Sequence, residues 1–455
     1  MPDFRTIRVQ ALYDGAGRFI SPCEIFIRDG KLERIFSPRD DSVDAEAFRR
    51  EYAPVADQIH EPYGFALPGL VNSHHHSYSA LARGMPLLVP PGDLKTILKD
   101  LWWKFDSKLD LEDIYVSALV TAVEAIHAGC TLVVDHHSSP FSARGSLRQI
   151  ENAFEETGIK SVLCLELSDR NGDHVLEQEL EESLTFAKAH VNNHNIRAMM
   201  GLHAGFTLSD RTLKKIAARK PGDLPIHFHA GEHQLDLDDA KNKGYAGPIQ
   251  RLSNFGLLNS NSIAAHCIHL SEQDMQVMAD YGVKIAHCPE SNMNNGVGYP
   301  SIQDFSAESV VLGTDGMGSS MLTSARAAFL LSRAARDARD PDMDSAGLVR
   351  AMLLDNPSSF LSSLFGRKMG VIKEGEPADF VIFDYRPFTP INQENWFGHV
   401  LFGMAQNPRA DWVYSNGRAI LANGRITSVD EASVLKEARE HAKRIWPKVL
   451  KHGGD

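Results

Sequence analysis

The hydrophobic and polar positions fall into three textures along the chain. Near the start, short alternating runs recur in Thr6-Ile7-Arg8-Val9, Glu24-Ile25-Phe26-Ile27 and, past an Asp29-Gly30 turn, Leu32-Glu33-Arg34-Ile35. Alternation with a period of 2 marks half-buried strands, and Asp-Gly between two such runs marks a hairpin. The same texture returns in Ala378-Asp379-Phe380-Val381-Ile382-Phe383 and Trp412-Val413-Tyr414, followed by Asn416-Gly417 and Asn423-Gly424 turns on either side of Ala419-Ile420-Leu421. Chain ends often lie close together in space. Residues 1–65 and 370–430 are therefore expected to share one discontinuous β-sandwich domain, with a C-terminal helix over 431–455.

Between the ends, apolar or β-branched runs alternate with segments of helical period, the pattern of βα units around a parallel sheet. Eight runs stand out: Leu67–His76, Thr131–His137, Ser161–Leu167, Ile196–Gly201, Leu224–His229, Ser262–His266, Val283–His287 and Val310–Asp315. Ser209 or Asp210 before Thr212–Ala218, and Ser271 with Asp274 before Met275–Ala279, read as helix starts. Eight strands with crossovers predict an α/β fold, a closed (β/α)8 TIM-type barrel over 66–369. An open doubly wound sheet would carry a glycine-rich turn after its first strand, where Ser73-His74-His75-His76 stands instead.

Barrel active sites assemble at the C-terminal rim of the strands, and seven of the eight runs end in, or lead directly into, His, Asp or Glu. His74 and His76 are two apart, so strand alternation puts them on one face with His75 on the other, half of a metal site. In His227-Phe228-His229-Ala230-Gly231-Glu232, His227 and His229 share a face and either suits ligation. Only His229 lies at the strand tip beside the Glu232 carboxylate, so it is preferred, and His227 is expected behind the ligands or buried. His266 ends the sixth run, and Asp315, in Gly313-Thr314-Asp315-Gly316, completes a set of nitrogen and oxygen donors. Such a set suits zinc, with ferrous iron second, and not magnesium or calcium.

Composition narrows the partners. The chain has 455 residues, 43% of them hydrophobic, with 47 basic against 59 acidic residues and a formal charge of −12. No global positive field is available for nucleic acid or an anionic membrane. Five scattered cysteines, Cys23, Cys130, Cys164, Cys267 and Cys288, without a CxxC pair point to a reducing compartment. There is no signal-peptide pattern and no apolar run of ~18 residues, so a cytoplasmic location is expected.

These words, with Pro68-Gly69-Leu70-Val71-Asn72-Ser73-His74, Pro289-Glu290-Ser291-Asn292-Met293 and Gly375-Glu376-Pro377-Ala378-Asp379, resemble the amidohydrolase superfamily, in its cytosine deaminase, guanine deaminase and chlorohydrolase branch. Trp102-Trp103, Val134-Asp135-His136-His137-Ser138-Ser139-Pro140 and Gly398-His399-Val400-Leu401 look most like the aminohydrolases called SsnA, a group associated with selenium metabolism and purine breakdown. The resemblance implies that His74, His76, His229 and Asp315 bind one divalent ion and that Asp315 takes a proton from its water. Glu232 would shuttle protons to the substrate nitrogen, and His266 would hold the hydroxide or polarise the substrate. His203, Ser291 and Asn292 would contact a small nitrogen heterocycle. A homo-oligomer is the family expectation. Hydantoinase-like relatives bridge two metals with a carboxylated lysine on the fourth strand, and Arg197–His203 contains none, which favours one ion. Two positions depart from the relatives: Gly231 replaces an alanine, and Cys288 stands where asparagine is common. His136 and His137 end the second strand and face opposite ways, so at most one is expected to point into the pocket. Trp102 and Trp103 could cover a planar ring, although such a pair is more often packing or subunit contact.

Three functions follow as expectations. The first is deamination of a purine, pterin or pyrimidine-like ring, in which hydroxide formed on the ion attacks an amidine-like carbon and ammonia leaves. The second uses the same site on a cyclic amide, N-alkyl or halide substituent. The third is a catalytically silent barrel acting as an assembly protein, which disfavours itself because the ligand set is complete.

Overall fold

The computed structural model describes residues 3–52, 57–86, 93–334 and 344–450. Its strands form two sheets. In the parallel one, Leu70–His75, Cys130–His137, Lys160–Leu167, Met200–Ala204, Ile226–Ala230, Ile263–His266, Lys284–His287 and Val310–Leu312 follow one another in chain order. A parallel bridge between His75 and Asp315 closes the ring, and the Thr314 and Asp315 amides both donate to the His74 carbonyl at 3.0 Å. The expected eight-stranded barrel is present, with two refinements. Leu67 and Pro68 belong to the other sheet, on the long strand Asp57–Pro68. The fourth stave is broken into Ile196–Ala198 and Met200–Ala204, which carries His203 further up the rim than a strand ending at Gly201 would.

Alternation fills the barrel interior. Val71, Leu132, Val134, Val162, Cys164, Met199, Ile263, Ala265, Ala286 and Val311 form one buried cluster, and Phe360, Leu361 and Phe365 of the helix Asn356–Phe365 pack against it. The opposite strand faces join the larger core under the surrounding helices. Helix starts follow the chemistry read from the sequence. Ser209 accepts from the Thr212 amide, and Ser271 and Asp274 form a capping box for Glu272–Tyr281.

The second sheet joins both chain ends. Asp57–Pro68 lies parallel to Phe4–Tyr13 on one side and antiparallel to Phe380–Asp384 on the other. Ile7, Ile25, Leu32, Phe380, Ile382 and Tyr414 share its core. The turn pairs Asp29-Gly30, Asn416-Gly417 and Asn423-Gly424 all have positive φ, as a two-residue hairpin turn requires. The alternating pattern missed one helix here, Val43–Tyr52, which is held by aromatic packing: Phe48 stacks on Tyr52 at 4.1 Å and meets Phe26 edge-on at 5.1 Å. The last helix runs Glu431–Leu450, and residues 451–455 lie outside the described residues. Its Trp446 donates to the Leu81 carbonyl at 2.8 Å, fixing the helix end beside the barrel mouth. Among the described residues, no helix is long and apolar enough to cross a membrane.

Candidate active site

At the C-terminal rim the expected ligand atoms converge. The ring nitrogens of His74, His76 and His229 form one cluster, and those of His74 and His266 with an Asp315 carboxylate oxygen form an overlapping one. His76 Nε2 lies 2.9 Å from Asp315 Oδ1 and 3.2 Å from His229 Nε2, and His74 Nε2 lies 3.7 Å from Asp315 Oδ1. His74 Nε2 is buried without a hydrogen-bond partner. Two imidazole nitrogens pointed at each other, beside an orphaned third and a carboxylate, is an arrangement that a cation satisfies. Burial and the neighbouring imidazoles push the His74 and His229 pKa values well down, which keeps both rings in the neutral form that ligates. Burial also acts to lower His76, but the hydrogen bond and charge of Asp315 override it and lift His76 to about 9.

Outer contacts fix each ring. His76 Nδ1 donates to the His136 carbonyl at 2.5 Å, so its Nε2 is the atom presented to the cluster. His74 Nδ1 lies 2.8 Å from His227 Nε2, which places His227 behind His74. His75 turns away, with Nδ1 3.0 Å from Thr314 Oγ1. Such second contacts set tautomer and orientation.

Strand alternation does not by itself produce this convergence. Ile263 and Ala265 face the barrel interior, so simple alternation would turn His266 outward. His266 has φ +70° and brings its ring back to the cluster, and Asp315 has φ +54°. Left-handed backbone at non-glycine residues is uncommon and concentrates at functional sites. The first strand makes a comparable correction: its register against the second shifts between Asn72 and His75, which admits both His74 and His76. Gly231 has φ +56°, and a Cβ there would stand 2.5 Å from the His269 carbonyl oxygen. The position requires glycine, which accounts for the departure seen in the sequence.

A cavity of about 350 Å3 opens over the cluster, at the small end of the range for ligand pockets. Glu232, His203 and Ser291 line it. Glu232 Oε1 accepts from Asn295 Nδ2 at 3.3 Å, and Oε2 stands 3.8 Å from His266 Nε2. Burial raises the Glu232 pKa, against the opposing effect of His266. His203 Nδ1 lies 2.9 Å from Thr207 Oγ1; since that hydroxyl donates to the Ala204 carbonyl, Nδ1 is the donor and Nε2 carries the lone pair. Ser291 Oγ donates to Asp315 Oδ2 at 2.5 Å, so its proton is committed to that carboxylate.

One expectation needs correction. Asn292 is fully buried and does not line the cavity; its Oδ1 lies 2.8 Å from His266 Nδ1, making it a support for that ring and not a substrate contact. Of the two readings open for Trp102 and Trp103, the structure favours the pocket: both line the cavity from the segment Leu94–Asp106 laid over the rim. Of the histidine pair, His136 points into the barrel, 4.7 Å from the His229 ring, while His137 meets Ser139 Oγ at 2.9 Å. The sequence reading left Asn295, Glu166, Asp106 and Arg170 unassigned. Glu166 was readable in part, since it shares the inward parity of Val162 and Cys164.

A closed βα barrel with imidazoles and a carboxylate converging at its C-terminal rim defines the class of metal-dependent barrel hydrolases. The chain matches the amidohydrolase family over residues 65–420 and belongs to it. Among curated relatives, a 5-methylthioadenosine/S-adenosylhomocysteine deaminase of Desulforudis audaxviator is 30% identical over 400 residues, covering 86% of this chain and 89% of its own. A 5′-deoxyadenosine deaminase of Methanococcus maripaludis is 29% identical, covering 82% and 87%. Among solved structures, an adenosine deaminase from Xanthomonas campestris with bound zinc superimposes with a TM-score of 0.80 at 19% identity, covering 97% of this chain and 98% of that one.

Proposed function

We propose that the protein is a deaminase of an amino-substituted nitrogen heterocycle, in which His74, His76, His229 and Asp315 hold a single divalent ion, zinc before iron. The observation that carries this reading is the meeting of those four groups with Glu232 and His266 at one end of a small cavity. When bound, such an ion would lower the pKa of water to about 7 and so supply a nucleophile at neutral pH. The absence of a lysine on the fourth strand supports one ion.

The chain's own groups supply the proton chemistry. Amines leave as ammonia only after protonation, and Glu232, with its pKa raised by burial, is a carboxyl group suited to carry that proton. His266, held through Nδ1 by Asn292, directs Nε2 toward Glu232 and the reacting carbon. Asp315 is held by Ser291, which leaves Oδ1 toward the imidazole cluster. Cytoplasmic location and homo-oligomerisation belong to the proposal as well, and fractionation and light scattering test them.

The experiment is ammonia release by the zinc-loaded protein across a panel of amino-heterocycles. The names of the relatives put 5′-deoxyadenosine and methylthioadenosine in that panel, with guanine, cytosine and pterins beside them. Release from at least one, lost on removing the metal, is expected. A metal-loaded protein inert across the whole panel overturns the reading.

A further inference from the structure

The cavity has a second polar end that the proposed chemistry does not use. Glu166, at the tip of the third strand, is 4% exposed and lines the cavity. Its Oε1 accepts from Arg170 Nη2 at 3.0 Å. Its Oε2 has no hydrogen bond among the described residues; the nearest ring nitrogen, His136 Nδ1, is 3.6 Å away, too far for one. His136 Nε2 lies 3.2 Å from both the Leu202 and His227 carbonyls and so carries the ring hydrogen, which leaves Nδ1 an acceptor like Oε2. Asp106, 2% exposed, repeats the pattern. Its Oδ2 accepts from Ser138 and Arg170 at 2.8 and 2.9 Å, while Oδ1 is buried without a partner. Two carboxylates thus share one guanidinium, and Arg170 in turn packs over the Trp103 ring at 5.2 Å.

A buried acceptor without a donor costs free energy, as at Asp106 Oδ1. Burial lifts the Glu166 carboxyl to about 7 against the pull of Arg170, and a ligand donor at Oε2 favours its ionised form, which can only accept. We propose that Glu166 Oε2, with Asp106 behind it, is a substrate-recognition acceptor that selects ligands presenting an N–H or O–H donor on the edge remote from the reacting carbon. Placement supports this. Glu232 follows the fifth strand and Glu166 ends the third, with His203 between them on the fourth. A ring that offers its reacting edge to Glu232 therefore extends its far edge past His203 toward Glu166. Trp103 flanks that path, 6.1 Å from the His203 ring. Two ligand features supply such a donor: a ring N–H of a free base, or the vicinal hydroxyls of a nucleoside.

The inference rests on the deaminase reading for the orientation of the ring, and binding tests it separately from turnover. Adenine and guanine are compared with their 9-methyl derivatives, which lack that ring N–H, and adenosine with 2′,3′-dideoxyadenosine, which lacks the diol. Affinities come from calorimetry on zinc-loaded wild type and Glu166→Gln, with ammonia measured in parallel. Glutamine keeps the size of the side chain and an acceptor for Arg170, and the wild-type comparison does not depend on the variant folding. The expected result is that loss of the donor weakens wild-type binding by about ten-fold or more in one pair. In E166Q the members of that pair should then bind within about three-fold of each other, with zinc content unchanged. The pair that responds identifies the source of the donor. Equal affinities within every pair, or donor dependence that survives in E166Q, overturn the inference. No binding by any compound does so too. Donor-dependent binding without ammonia would leave the inference standing and count against the deaminase reading alone.

Discussion

Glutamine at position 232 separates proton transfer from every other property of the site. Glu232 is not one of the converging ligands, and its Oε1 accepts from Asn295 at 3.3 Å, a contact that the amide oxygen of glutamine reproduces. The side chain is of equal length, so the cavity and the ring of His266, 3.8 Å from Oε2, keep their places. What disappears is the exchangeable proton. General acid–base catalysis contributes about 10²–10⁴-fold, so Glu232→Gln should lower kcat by that factor, or about 3–5 kcal/mol of barrier. Zinc content and KM should change little. The pH profile adds a second readout. Burial raises the Glu232 pKa, so the acid form persists to higher pH than in a free glutamate, and the limb of the wild-type profile that reports it should lie above pH 4.5 and vanish in the variant. The assay is steady-state ammonia release on the substrate found in the panel, with metal measured on the same samples. An E232Q enzyme with full zinc and kcat within about ten-fold of wild type would refute the assignment of Glu232 as proton carrier.

Other perturbations probe the supports. Asn292→Ala removes the partner of His266 Nδ1; a hydrogen bond worth about 0.5–1.5 kcal/mol predicts a fall in kcat of about 3–10-fold at constant zinc content, and unchanged kcat would remove Asn292 from the mechanism. Gly313→Ala would place a Cβ 2.8 Å from His74 Cβ and 2.9 Å from the His74 carbonyl, so weakened zinc retention is expected in a folded protein, read by metal analysis beside circular dichroism. Free zinc at a hundred times its Kd should stabilise the fold by about 2.7 kcal/mol, and a chelator should lower Tm in wild type but not in His229→Ala; equal shifts in both would place the ion elsewhere. Burial lifts the Asp135 carboxyl from 3.8 to about 6. The folded state then holds a proton that the unfolded state releases, so this group's contribution is fully present below about pH 4 and lost as pH rises through 6, about 3 kcal/mol in all. Denaturant titrations of Asp135→Asn should show a shallower decline over that window, and an identical slope would contradict the assignment.

The legible parts of the molecule were those with local causes. Hairpins at Asp29-Gly30, Asn416-Gly417 and Asn423-Gly424 were readable because few residues accept positive φ, and helix starts at Ser209 and Ser271 because the cap lies three residues from the amide it serves. The eight staves were readable because a strand buried in a barrel is apolar on both faces. The helix Val43–Tyr52 was missed because, apart from the Phe48–Tyr52 stack, the aromatic contacts that seat it are made with other elements, at Phe26 and Phe36.

The site shows how strand alternation can suggest the right residues for an incomplete reason. A period of 2 grouped His74 with His76 and excluded His75, yet the grouping faces inward only because the register shifts after Asn72. His266 reaches the cluster against alternation, by its positive φ. His227, read from its place below the strand tip as a residue behind the ligands or in the core, lies there, its Nε2 against His74 Nδ1. Ser291 and Asn292 read alike in sequence, but one turns toward Asp315 at the cavity and the other backs His266 from the core, a difference of one helical step. Asp106, Glu166 and Arg170 were out of reach for a further reason. Glu166 and Arg170 are four residues apart, but Asp106 comes from a distant helix, and only the fold brings this second carboxylate to the same guanidinium. The half of the cavity nearest the histidine cluster is therefore readable from strand ends, and the half around Arg170 depends in part on a contact between distant elements.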